Sequence, residues 1–178
     1  MAASPSMKYA VVEREHRFVV LTPPAPSLVV RTLEIDDRYL HGTRLRLRRV
    51  REAGRPDVLK LGQKLRFDER DPAGLAHTTL YLDAAEFDAL RALPGDPLVK
   101  TRRHVPLDDG HVLAVDTFHG PLDGLVLGEL DLGSDRALPP TLPHGLGPDV
   151  THDERFTGAA LARTDGETLH ALLTALGV

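Results

Sequence analysis

At 178 residues the chain has room for one domain with a real core and not for two comfortable ones, so residues 1–178 are expected to form a single unit. A net charge of −4 sets it apart from proteins that coat nucleic acid, and the absence of cysteine removes disulfide frameworks and thiolate metal sites. The opening "MAASPSMKYA" lacks the apolar segment of a secretory signal and no run is long enough to cross a bilayer, so a cytoplasmic protein with no nucleic-acid and no membrane partner is expected.

Fifteen Gly and 14 Pro are spread along the chain as turns between many short elements, which favours a strand-rich fold. In chain order, "VEREHRFVV" (12–20) comes first. It sets Glu13, Glu15 and Arg17 on one period-2 face before ending in Phe18, Val19 and Val20. "TRLRLRRV" places Arg44, Arg46 and Arg48 opposite Leu45 and Leu47. "VLKLGQKLRF" places Lys60, Gly62, Lys64 and Arg66 opposite Leu59, Leu61, Leu65 and Phe67.

"LDAAEFDALRALPGDP" predicts a helix capped by Asp83, with Phe87, Leu90 and Leu93 as its apolar stripe and Pro94 and Gly95 as its stop. Three more strands follow. "LVKTRRHV" aligns Lys100, Arg102 and His104, "HVLAVDTF" aligns Ala114, Asp116 and Phe118, and "LVLGELDL" aligns Glu129 and Asp131. "RVREAGRPDV" and "PLDDGH" read as hairpin loops, and "ALPPTLPHGLGPD" as a Pro/Gly-rich surface loop. A last helix is predicted in "DGETLHALLTALGV", where Leu169, Leu172, Leu173 and Leu176 share a face.

A sheet with one wet face would also alternate, and its charged side would be mixed in sign. Here the signs are sorted: three strands carry mainly cations, and the first and last carry mostly carboxylates. If these faces converge inside a closed or nearly closed antiparallel barrel, with the leucine faces turned outward against helices, the cations require a multiply charged anion. Each unpaired buried charge otherwise costs several kcal/mol. Carboxylates in the same cavity would repel that anion unless a divalent cation stood between them, and oxygen donors suit Mg²⁺ or Mn²⁺. A linear triphosphate or polyphosphate with its metal satisfies both halves. The nine histidines are scattered without metal-ligand spacing and read as solvated or structural.

These residues resemble the CYTH superfamily, the triphosphate tunnel metalloenzymes. "VEREHRFVV" is similar to that family's ExExK strand, "DDRYLHGTRLRLRRV" to its YL segment and RxR strand, "LVKTRRHV" to its later K-x-R strand, and "LAVDTFHGPLDGLVLGELDL" to its Asp followed by an acidic strand. The resemblance spans roughly residues 8 to 165. It implies an α+β fold, mainly antiparallel β: an eight-stranded closed or nearly closed tunnel with flanking helices, hydrolysing a triphosphate with Mg²⁺ or Mn²⁺.

Carried over by position, Glu13, Glu15, Asp116, Glu129 and Asp131 are implied metal ligands. Arg17, Arg44, Arg46, Arg48, Lys60, Lys64, Lys100 and Arg102 are expected to grip phosphate. Glu13, Glu15, Arg17 and Asp116 are expected to serve catalysis. Arg17 departs from the family's Lys and cannot act as a base, since guanidinium keeps its proton. A cyclase acting on ATP and a non-catalytic polyphosphate or nucleotide sensor are the alternatives, and the oligomeric state is open, a homodimer among the options.

Overall fold

Alternation of period 2 builds nine strands among the described residues, which in the computed structural model are 9–66, 74–133, 138–139 and 141–178. They are β1 (Val11–Val20), β2 (Arg31–Leu40), β3 (Leu45–Arg51), β4 (Val58–Arg66), β5 (Gly74–Tyr81), β6 (Gly95–Pro106), β7 (Val112–Phe118), β8 (Val126–Asp131) and β9 (Leu146–Asp149). Phe67 and the side chain of Arg66, at the end of the predicted lysine strand, lie outside the described residues, as do 137 and 140 of the Pro/Gly-rich segment.

Every pairing is antiparallel, in the order β5-β4-β3-β2-β6-β7-β8-β1, and β1 then pairs with β5 to close an eight-stranded barrel. Closure covers both edges of the sheet except where β1 extends past its pairing with β5. Strand β1 makes it possible by changing partners along its length. Val11–Arg14 pair with β5, while Glu15–Val19 pair with β8. Where β5 has ended, β9 takes up the free edge at Phe18 and Val20. The two predicted hairpin loops carry glycines at positive φ, Gly54 at 76° and Gly110 at 88°, a conformation other residues adopt only with strain.

The α-helices are α1 (Ala84–Arg91), α2 (Gly158–Leu161) and α3 (Gly166–Ala175). As predicted, Asp83 caps α1, here with Glu86 in a reciprocal capping box. Phe87 is buried, but Leu93 lies beyond the helix and is exposed, so the predicted apolar stripe is shorter than the sequence suggested. Helix α1 packs against β3 and β4, whose leucines point outward. Helix α3 buries Leu169 and Leu172, with Leu173 and Leu176 packed beside them.

Two apolar clusters hold the barrel. One lies on its outer face and joins Phe18, Val20, Val105, Leu113, Val115, Leu130 and Leu132. The other joins Val19, Leu98, Phe118 and Leu127, in the same phase as the interior charges, to Phe156, Leu161 and Leu169. That second cluster fills part of the interior. It explains why "VEREHRFVV" turns apolar at its end: Val19 faces inward with Glu13, Glu15 and Arg17, but in the stoppered part of the barrel.

The segment read as a surface loop contributes β9, a correction to the sequence reading. Gly147 and Pro148 have little strand preference of their own. The pairing is imposed by the free edge of β1 and by Gly145, whose carbonyl accepts from Leu21 N and Thr22 N.

Candidate active site

Because side chains alternate along a strand, one parity of each strand faces the interior. Those parities bring Glu13, Glu15, Arg17, Arg44, Arg46, Arg48, Lys60, Lys64, Lys100, Arg102 and Glu129 to one cavity of about 450 Å³. Two predicted residues do not line it. Asp116 is 1% exposed beneath Lys100 and Arg102, and Asp131 is exposed, accepting from the backbone of Arg14 and Gly133. Arg44 lines the cavity but is exposed, as expected of a residue before the start of its strand.

The interior charges form a chain of pairs. His77 Nδ1 lies 2.6 Å from Glu13, and Lys64 lies between Glu13, at 2.9 Å, and Glu15. Arg17 lies 3.5 Å from Glu15 and 3.1 Å from Glu129. Arg102 joins Glu129 to Asp116, which Lys100 shares. A second group stands on β2 and β3: Asp37 accepts a forked pair from Arg48 at 2.6 and 2.7 Å, with Arg46 Nε 3.6 Å away.

Sequence reasoning missed Asp37, His77 and Tyr39. Asp37 and Asp116 play parallel parts, each a buried carboxylate beneath a pair of cavity cations. Tyr39 lines the cavity and packs against the apolar cluster. Gly158 at the start of α2 makes room for it: a Cβ there would stand 1.9 Å from the Tyr39 hydroxyl oxygen. Thr151 is buried and accepts from Arg17 N. His77 is satisfied, as the sequence suggested for histidines, but it faces the cavity.

These contacts fix the protonation of the acids. Burial opposes ionisation of Glu129, and Arg102, Lys100, Arg17 and Lys64 overcome it, holding its carboxyl well below the usual carboxylate range. Burial likewise opposes ionisation of Glu13 and Asp37. Hydrogen bonding from His77 and the charge of Lys64 bring Glu13 to about 2, and the charges of Arg48 and Arg46 bring Asp37 to about 2. Burial also lowers Lys60, helped by Arg48, Arg46 and Arg102.

At neutral pH the eight cations Arg17, Arg44, Arg46, Arg48, Lys60, Lys64, Lys100 and Arg102 face the five carboxylates Glu13, Glu15, Asp37, Asp116 and Glu129. The basic groups outnumber the acidic ones by three, in a chain whose net charge is −4. Arg46 Nε is buried without a hydrogen-bond partner. The cavity is therefore a local sink for anions.

The acidic side chains offer hard oxygen donors, and Glu13 Oε2 is buried without a hydrogen bond although Lys64 stands close by. Among the described residues no three Asp, Glu or His groups converge as a ready-made cage. One or two of these carboxylates could hold a cation only together with oxygens of a bound ligand.

No family profile matches the chain. An inorganic triphosphatase from Nitrosomonas europaea is 35% identical over 85 residues, which make up 47% of this chain and 56% of that protein. The chain thus aligns with little more than half the length of that relative. Two crystal structures share the barrel. One, of the inorganic triphosphatase NE1496, has a TM-score of 0.55 and 26% identity over 85% of this chain and 95% of that one. The other, of the hypothetical protein NE1496, has a TM-score of 0.57 and 25% identity over 86% and 99%. No described helix is long and apolar enough to cross a membrane.

Proposed function

We propose that this chain hydrolyses a linear triphosphate, inorganic tripolyphosphate first among the candidates, with a divalent cation, Mg²⁺ or Mn²⁺. The observation that carries the reading is the cavity's surplus of three basic over acidic groups beside the Glu13 and Glu15 carboxylates, the complement of a phosphate chain bearing a metal. The similarity to an inorganic triphosphatase supports it. So does the sequence resemblance to CYTH proteins.

In this reading Arg46, Arg48, Lys60, Lys100 and Arg102 bind the phosphoryl oxygens, the arginines by forked hydrogen bonds and the lysines as point charges. Asp37 holds Arg46 and Arg48 in place from below, and Asp116 holds Lys100 and Arg102. Glu13, Glu15 and Glu129 are the candidate metal donors, one or two of them serving an ion together with phosphate oxygens, and that ion would supply Lewis-acid stabilisation of developing charge and a lowered pKa for attacking water. Arg17 positions the chain between Glu15 and Glu129 and keeps its own proton. Asp131, exposed and accepting from the backbone of Arg14 and Gly133, is given no place in the metal's seat.

The test is product analysis on tripolyphosphate, thiamine triphosphate, ATP and pyrophosphate with Mg²⁺ and with Mn²⁺. Metal-dependent release of one orthophosphate per tripolyphosphate, with pyrophosphate as the other product, is expected. Formation of cyclic AMP from ATP would favour the cyclase, and binding without turnover of any of the four would favour the sensor.

A further inference from the structure

The acidic side of the cavity already contains a cation of its own. Lys64, on β4, reaches across to β1 and places its ammonium 2.9 Å from Glu13 Oε2 and in a short hydrogen bond to Glu15 Oε1. Burial opposes its charge, and Glu15, Glu13 and Glu129 overcome that opposition and raise its proton affinity, so it stays charged there. Glu13 and Glu15 lie two positions apart on the inward face of β1, the same pair that a dication would engage. An ion that used both would have to displace the ammonium.

We infer that Lys64 is a built-in occupant of the metal position, one that makes metal entry depend on arrival of the phosphate chain. The inference rests on the proposed triphosphatase reading. An ammonium leaving Glu13 and Glu15 needs other acceptors, because a part-buried charge without partners is costly. Of the remaining groups along the ion-pair chain, Arg17, Arg102 and Lys100 are cations, and the carboxylates Glu129 and Asp116 are already held by them. Phosphoryl oxygens can supply the acceptors. Once Lys64 has moved to the phosphate chain, Glu13 Oε2 and Glu15 Oε1 are released to hold a divalent cation, while His77 and Arg17 keep the other two oxygens. Metal and phosphate therefore bind as a pair, and by linkage each raises affinity for the other by the same factor.

Direct metal–phosphate contact also produces such coupling, so the deciding measurement uses Mn²⁺ alone. In calorimetric titrations, Lys64→Met is expected to bind Mn²⁺ about tenfold or more tightly than the wild type in the absence of any phosphate, within the range typical of coupled sites. Lys64→Gln, which keeps a donor and loses the charge, is expected to shift in the same direction and serves if the Met variant melts without cooperativity. An imido-bridged triphosphate analogue is expected to tighten Mn²⁺ binding less in either variant than in the wild type. Unchanged or weaker Mn²⁺ affinity in both variants overturns the inference.

Turnover is scored separately. A wild type that hydrolyses tripolyphosphate while the variants leave Mn²⁺ affinity unchanged retires the role of Lys64 alone. A shift in Mn²⁺ affinity in a protein without turnover retires the triphosphatase reading alone.

Discussion

Glu129→Gln is expected to lower metal-dependent turnover of tripolyphosphate by about 100-fold or more while the protein still melts cooperatively. Groups that merely support a metal ligand typically contribute about 10–100-fold, so loss of a ligand should cost at least the upper end of that range. Glu129 sits between Arg17 and Arg102, and those cations keep it ionised throughout the working pH range. Gln retains the shape and one acceptor, so the barrel wall persists. It also raises the cavity's positive surplus, so the affinity for tripolyphosphate should hold or increase as kcat falls. Steady-state kinetics separate the two effects: a fall in kcat with KM unchanged or lower is expected, and wild-type kcat would exclude Glu129 from the reaction.

Asp37→Asn is expected to have the largest effect on stability, about 3–5 kcal/mol at neutral pH, the usual cost of breaking a buried ion pair from one side. The Asp37 carboxylate is fully buried and faces Arg48 directly across the β2–β3 ladder. Its depressed folded value of about 2, against an ordinary 3.8, makes the contribution pH-dependent. A depressed carboxyl stabilises the fold above the unfolded value, so this part, about 2 kcal/mol, is complete above about pH 4 and fades as pH falls toward 2. Denaturant titrations at neutral pH and near pH 3 should therefore show a gap between wild type and variant that narrows in acid. Equal stability at neutral pH would show that Arg48 finds other compensation.

The strands whose inner face is sorted by charge were readable because a solvent face mixes signs and these do not. Arg46 and Arg48, Lys60 and Lys64, Lys100 and Arg102, and Glu13 and Glu15 each repeat one sign at period 2, and all face the cavity. Strand β2 hides for the opposite reason. Its inward residues are Leu33, Ile35, Asp37 and Tyr39, apolar and acidic in turn, while Glu34, Asp36 and Arg38 face outward with both signs. No single period of charge or hydropathy marks that strand, and Asp37 acquires meaning only when β3 is laid beside it. His77 is concealed similarly: β5 pairs with β4 along its length, and His77 meets Glu13 only because the barrel closes against β1. Asp116 was placed in the right phase, but phase alone could not reveal that Lys100 and Arg102 cover it. Strand β9 exists because β1 outruns β5, a fact of topology without a local signature.

The cation-rich interior as a grip for a phosphate chain is tested most directly by a calorimetric affinity series in Mg²⁺, using orthophosphate, an imido-bridged diphosphate and an imido-bridged triphosphate. Affinity is predicted to rise with each added phosphoryl group and to fall with added salt, and Arg46→Ala should weaken the triphosphate analogue far more than orthophosphate. Equal affinity along the series, or equal losses in the Arg46 variant, would contradict the account.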